Sequence, residues 1–403
     1  MSAIAPKTIL ALEQALTLPY ATQRFVHMGW RVIRVEATPA PGQDRPGDPN
    51  RYVGHPVAGP DRCSYFFPPN AGKEAIAINL KSPEGHELLG RLVHDLPVDV
   101  FCCNTLPRRY EQLGIGYEML RAFKEDLIWV GISALGPEHP DAPGYDPALQ
   151  ALLGYMHLTG DPQGPPMLAG VPLVDLRAGD EAFAQVCLAL AEKAETGQGK
   201  RIDIAMSQTA ASWLVTFLPL LDLGGSLGQL TRNGNEHREF VPVNVYPTAD
   251  GFVFLAVGND VQWKRLVGVA GFEGLHSEVR QSNSGRQAER ELLHGEIGAI
   301  TRGLGTDELV ATLQDAGLVA YRINTLAEVA ELPFIREHLP RVELEGGDQV
   351  RLAPPGVDTD WLGRQQGRMA LPPAYGEHNG RVLAEIGLGD DEIGELRGRG
   401  VIT

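Results

Sequence analysis

Residues 75–104 read AIAINLKSPEGHELLGRLVHDLPVDVFCCN, a strand, a helix and a second strand in succession. AIAINL, 75–80, is short and apolar. Ser82 stands where a helix cap is wanted, Pro83 suits the first helical position, and the apolar spacing through Leu92 predicts the helix itself. VDVFCC, 98–103, is a continuous apolar run, as expected of a parallel strand buried on both faces. The same alternation extends outward. TILALE (8–13) predicts a short strand, 19–28 a helix with Pro19 near its start, and WRVIRVE (30–36) a strand. Downstream, 117–123 has a helical pattern and LIWVGIS (127–133) reads as a strand. Strand and helix in turn imply an α/β domain with a largely parallel sheet. No GxGxxG motif marks a dinucleotide site.

Residues 135–175 are dense in Gly and Pro and predict a loop-rich segment, the kind of place where reacting groups sit on a rigid scaffold. A long helix is expected over 178–193, then a turn at Thr196-Gly197-Gln198-Gly199 and the strand RIDIAM. After about residue 225 the character changes. Strands are expected over 241–246 and 251–257, joined by a turn at Ala249-Asp250-Gly251, with helices to about residue 315. The tail from residue 330 predicts loops and one helix near 379–386. The boundaries expected are 1–225 for the N-terminal part of a large domain, 226–325 for a smaller α+β domain, and 326–403 for a C-terminal segment.

With 403 residues, 43% of them hydrophobic, the chain can bury a core of good size. A formal net charge of −16 argues against nucleic acid and anionic membranes as partners, and any anionic ligand needs a local cluster of cations. Four cysteines without a CxxC pair suggest free thiols in a reducing compartment, and Cys102 and Cys103 read as small buried apolar residues. With neither a secretory leader pattern nor an apolar run long enough to span a bilayer, a cytoplasmic location is expected. Eleven scattered histidines, without HxxxH or HExxH spacing, give no metal site. GxSxG and P-loop motifs are also missing.

What remains is Asp175, a carboxylate at the end of the apolar segment VPLV, just ahead of the helix expected from Ala178. It reads as a helix N-cap. That position also suits chemistry, because free backbone N–H groups at a helix start can hold a developing oxyanion.

The stretch Gly144-Tyr145-Asp146, Gln150-Ala151, Gly154, Met156 and TGDPQGPP resembles the class III CoA-transferases, a group that includes formyl-CoA transferase and alpha-methylacyl-CoA racemase. Gly170, Asp175, Gly179, Thr196-Gly197-Gln198-Gly199 and RIDIAM follow in the same order. Upstream, Pro19-Tyr20-Ala21-Thr22, HMGWRVIRVE, NAGKEAIAINLKSPEG and Asn104 fit; downstream, Gly234-Asn235, YPTADG, AVGNDVQW and GEHNGRVLAEIGL fit. The resemblance implies a large Rossmann-like CoA-binding domain built from both chain ends, a small domain between, and an interlocked, ring-like dimer. It places the catalytic aspartate at Asp175. There a carboxylate takes the acyl group from a thioester such as succinyl-CoA and passes CoA to a carboxylic acid. Coenzyme A is then a substrate, with no permanently bound cofactor. Gln14 and Tyr145 are expected to meet substrate, and Gly234 and Asn235 to close over the site and lend a backbone N–H. The cations expected near the CoA phosphates are Arg34, Lys73 and Arg108, with Arg31 and Arg109 beside them, and Asn104 faces the ligand from a strand end.

Departures from the family pattern keep alternatives open. Gln14 and Leu16 stand where the family often has His and Gln, Ala37 replaces an Arg, and Gln112 replaces a basic residue. These fit either a different acyl group or a subunit that works only beside a related chain, as in the transferases that activate benzylsuccinate. Racemase or epimerase chemistry needs a His where this chain has Tyr145, and a phenol with a pKa of about 10 is a poor base at neutral pH. A homodimer and a heteromer both remain open.

Overall fold

The computed structural model describes residues 5–40, 42–226, 228 and 230–403. The chain divides into two compact units. One comprises Met1–Leu153, Gly170–Thr216 and Phe334–Thr403, the other Gly154–Ala169 and Phe217–Pro333.

The first unit is built on a six-stranded sheet: β1 (Thr8–Leu12), β2 (Arg31–Ala37), β3 (Glu74–Ile78), β4 (Val98–Cys103), β5 (Ile128–Ser133) and β6 (Lys200–Ala205). Every pairing is parallel, and the order is β3-β2-β1-β4-β5-β6. The α/β class expected from the sequence is therefore present. Ile9, Leu10, Val98, Val100, Phe101, Ile128 and Trp129 are fully buried, consistent with a sheet covered on both faces. Helix α1 (Thr17–His27) follows β1, and α2 (Pro83–Asp95) links β3 to β4. The Ser82 hydroxyl accepts from the Gly85 N–H at 3.1 Å, while Leu88, Leu89, Leu92 and Val93 bury one face of α2. A short α3 (Tyr117–Arg121) precedes β5. Helix Asn379–Glu385 puts Val382 and Leu383 into the same core, and Asn79 donates its N–H to the Val401 carbonyl at 2.8 Å. Cys102 and Cys103 are buried and free.

Three local differences from expectation have physical causes. The long helix, α6 (Leu173–Thr196), begins at Leu173 rather than near Ala178, so Asp175 lies inside its first turn and is not the cap. The Gly- and Pro-rich stretch also holds two short helices, α4 (Asp146–Leu152) and α5 (Tyr155–Leu158), because its breakers sit at helix starts, where Pro147 is tolerated. The tail contains a small sheet of β10 (Arg341–Glu343), β11 (Gln349–Arg351) and β12 (Arg368–Met369), strands too short to show an alternating pattern. Helix α7 (Met206–Ala211) continues from β6.

The second unit carries an antiparallel sheet of β7 (Val243–Pro247), β8 (Phe252–Ala256) and β9 (Val319–Arg322) in that order. The turn between β7 and β8 closes with the Thr248 N–H donating to the Gly251 carbonyl at 2.9 Å. Its core gathers Trp263, Leu266, Phe272, Leu293 and Ile297.

Candidate active site

Helices α1 and α6 pack side by side, with their first turns adjacent. Gly179 permits the approach: a Cβ there would lie 2.6 Å from the Tyr20 ring and 2.9 Å from the Thr17 carbonyl. The Thr17 hydroxyl therefore reaches Asp175 and donates to its Oδ1 at 2.5 Å. One turn further on, Tyr20 donates to Asp180 at 3.0 Å, and Arg24 pairs with the same carboxylate.

The start of α6 has no capping side chain of its own, since Pro172 occupies the N-cap. Asp146 supplies the missing acceptor from α4. Its Oδ2 accepts from the N–H groups of Val174 (2.7 Å) and Asp175 (3.2 Å), and its Oδ1 accepts from Gln150 at 2.6 Å. Asp146 is buried. Asp175 thus sits in a desolvated corner beside a second carboxylate. Burial pushes its carboxyl up to about 6, the Thr17 hydrogen bond opposes that shift, and the charge of Asp146 adds to it. A carboxylate of that acidity is ionised at neutral pH yet poorly solvated, which favours nucleophilic attack.

A cavity of about 430 Å³ opens at the carboxyl ends of β1 to β4. Its walls include Gln14 after β1, Ala37 at the end of β2, Lys81 shortly after β3, and Thr105 and Arg109 after β4. The sheet order reverses between β1 and β4, and crevices at such switch points are where open α/β sheets bind ligands. A separate cavity of about 900 Å³ runs along α1 and α6, from Leu16 and Arg177 to Met28 and Thr359. Thr17, the partner of Asp175, lies in the chain between residues of the two cavities.

The expected site residues fall into distinct places. Arg34 is 0% exposed; Asp48 (3.0 Å), Glu13, Glu36 and Asn70 surround it. Lys73 is buried as well, donating to Glu13 (2.8 Å), Thr22 (2.7 Å) and the Pro19 carbonyl (2.9 Å), and burial pulls its pKa down to about 8. With Arg51 on Glu36, three buried cations face the buried carboxylates Glu13, Glu36 and Asp48. Those three carboxylates also line the switch-point cavity. Arg34 and Lys73 are thus committed to these carboxylates behind the cavity wall. Arg31 pairs with Glu74 and Glu385. Arg108 is largely exposed and pairs with Asp141 at 3.1 Å, next to Arg109 on the cavity wall.

Asn104 and Gln14 are brought together: the Asn104 amide accepts from the Gln14 N–H at 3.1 Å and donates to the Gln14 carbonyl at 2.8 Å. Tyr145 is 74% exposed at the N-cap of α4. Gly234 and Asn235 belong to the second unit, in an exposed turn with Gly234 at φ 58° and its N–H donating to the Gly160 carbonyl at 2.9 Å. The sequence reading singled out neither Lys81 nor Thr17. Lys81 had a usable signal, its place just after a predicted parallel strand. Thr17 had none, because its partner is 158 residues away.

The family model described as CoA-transferase family III matches residues 5–379. The succinate–glutarate CoA-transferase of Agrobacterium fabrum is 32% identical over 94% of both chains. The succinyl-CoA–D-citramalate CoA-transferase of Chloroflexus aurantiacus is 31% identical over 98% of this chain and 96% of its own. The human succinyl-CoA:glutarate CoA-transferase is 27% identical over 98% of this chain and 88% of its own. Among solved structures, a CAIB/BAIF family protein from Brucella suis superposes with a TM-score of 0.80 at 28% identity, covering 94% of this chain and 98% of that one. Nearly the whole chain is matched, its sheet and helices included, and the chain belongs to CoA-transferase family III.

Proposed function

We propose that this CoA-transferase moves CoA from succinyl-CoA to a short dicarboxylic acid, with Asp175 as the group that is acylated. One observation carries the reading: a half-buried carboxylate, held by Thr17 on one oxygen, at the start of a long helix whose first N–H groups another side chain already orders. The Asp175 carboxylate attacks the thioester carbonyl carbon, forming a mixed anhydride and expelling CoA thiolate. The thiolate attacks the aspartyl carbonyl, releasing the donor acid and leaving an aspartyl CoA thioester. The acceptor carboxylate then attacks that thioester, giving a second anhydride and thiolate, and thiolate attack on the acceptor carbonyl yields the new acyl-CoA and regenerates Asp175. No water is consumed and no redox partner is needed.

The switch-point cavity suits the nucleotide end of CoA. Lys81 and Arg109 on its wall and Arg108 beside it are the cations for phosphate, in place of Arg34 and Lys73. The names of the relatives support the choice of acids, since glutarate recurs among them and D-citramalate appears in one. Tyr145 and Asn235 enter the same reading as substrate contacts, the latter as a backbone donor to an oxyanion, whereas the Gly234 N–H is already given to the Gly160 carbonyl. Each such donor is worth roughly 2.7–4 kcal/mol in the transition state. Two copies of the chain form the working enzyme.

The test uses the purified chain alone with succinyl-CoA and glutarate. Exchange of CoA by wild type, none by Asp175→Ala of unchanged circular dichroism, and a dimer by sedimentation are the expected results. Exchange that starts only after a related chain is added would replace the homodimer with a heteromer. Isomerisation of a chiral 2-methylacyl-CoA without exchange would favour the racemase.

A further inference from the structure

The turn between β1 and α1 is held by side chains at every residue from 13 to 15. Arg34 donates to the Glu13 carbonyl at 3.3 Å. Asn104 occupies both backbone groups of Gln14, at 3.1 and 2.8 Å. Asp48 accepts from the Ala15 N–H at 3.4 Å. Ala15 itself has φ 61°, and among the described residues only Gln366 shares a positive φ without being glycine. A left-handed alanine costs of order 1 kcal/mol and persists only where its surroundings over-determine it. Two residues later, the Thr17 hydroxyl meets Asp175.

The amide of Asn104 engages this turn through both of its polar atoms. Its oxygen and its nitrogen both engage the Gln14 backbone, clamping that residue from two sides. Asp48 is anchored in turn by Arg34 at 3.0 Å and, through its own N–H, by Glu36 at 3.0 Å. The buried charge cluster therefore works as the mould of one strained turn.

We infer that Asn104 is a positioning residue for catalysis: by clamping Gln14 it holds Ala15 in the left-handed conformation that delivers the Thr17 hydroxyl to Asp175. The inference rests on Asp175 being the acyl carrier. It also couples two places in the molecule, because Glu13, Gln14 and Asp48 line the cavity proposed for CoA. A ligand seated there packs against the same turn that orients the nucleophile.

A double-mutant cycle tests it, read as the acid limb of the kcat/KM–pH profile with succinyl-CoA. Thr17→Val removes the hydrogen bond to Asp175 and should move that limb upward by about one pH unit. Asn104→Ala should move it the same way by a smaller amount, lower kcat several-fold and change KM for acyl-CoA little. In the Thr17→Val background, Asn104→Ala should add no further shift. Asn104→Ser keeps one of the two bonds and serves if the alanine variant does not fold; it should give a smaller shift in the same direction. An unmoved limb, a change confined to KM, or a full additional shift in the double variant would overturn the inference. Hydroxylamine trapping on wild type separates this failure from that of the underlying reading: a hydroxamate at Asp175 with an unmoved Asn104 limb sinks only the positioning role, whereas no hydroxamate sinks both.

Discussion

On the proposed mechanism, Asp175 sets function against stability. Its pKa in the folded chain, about 6, lies above the ordinary 3.8, so the native state holds the proton more tightly than the unfolded chain does. Stability is therefore lost as pH rises from about 4 through 6, and the ionised carboxylate costs on the order of 2–3 kcal/mol above that window. Asp175→Asn keeps the shape and an acceptor for Thr17 while removing the charge. It should raise the thermal midpoint at pH 8 by several degrees, leave it nearly unchanged at pH 4, and abolish exchange; calorimetry at the two pH values checks this, and an equal shift at both would contradict it. For the same reason, wild-type kcat/KM should fall tenfold per pH unit below about 6. The sequence marks Asp175 as a candidate by its place after an apolar segment and by its ordered neighbours. It does not mark its setting. Thr17 and Asp146 reach it across 158 and 29 residues, and neither proximity leaves a local pattern.

At the scale of elements, α6 starts where it does because Asp146 orders its first N–H groups from another helix. The sequence reading placed the start five residues late, at Ala178, by taking Asp175 for a local cap. A Pro at the N-cap and an acceptor supplied from α4 are tertiary features that local rules miss. Asp146→Ala should leave two buried N–H groups unsatisfied and destabilise the protein by about 2–3 kcal/mol, seen as a lowered urea midpoint, with faster amide exchange in the first turn of α6. A midpoint within about 0.5 kcal/mol of wild type would refute the capping role. The parallel strands were legible because they are short apolar or alternating runs bounded by turn or cap residues. The β10–β12 sheet was not, since strands of two or three residues offer no period to detect.

Over the whole molecule, the excess negative charge hides a buried balance in the first unit. Arg34, Arg51 and Lys73 neutralise Glu13, Glu36 and Asp48 behind the cavity at the sheet's switch point. Removing one member strands its partners in low dielectric, so Arg34→Ala should cost about 3–5 kcal/mol and lower the urea midpoint sharply. Lys81→Ala, on the rim, should leave stability unchanged and raise KM for acyl-CoA several-fold. If instead Arg34→Ala folded normally and affected only KM, the cation would belong to the ligand after all. Whether such a pair is buried depends on tertiary packing that spacing does not reveal, so the cations were legible as a set but not sorted into buried and presented ones. The central claim, that one carboxylate carries the acyl group, is best tested by turnover with an acceptor acid labelled with heavy oxygen in its carboxyl group, followed by peptide mass mapping. Collapse of the second anhydride should leave a heavy oxygen on the side chain of Asp175 and on no other residue. Full turnover with Asp175 unlabelled, or with the label on a different side chain, would contradict it.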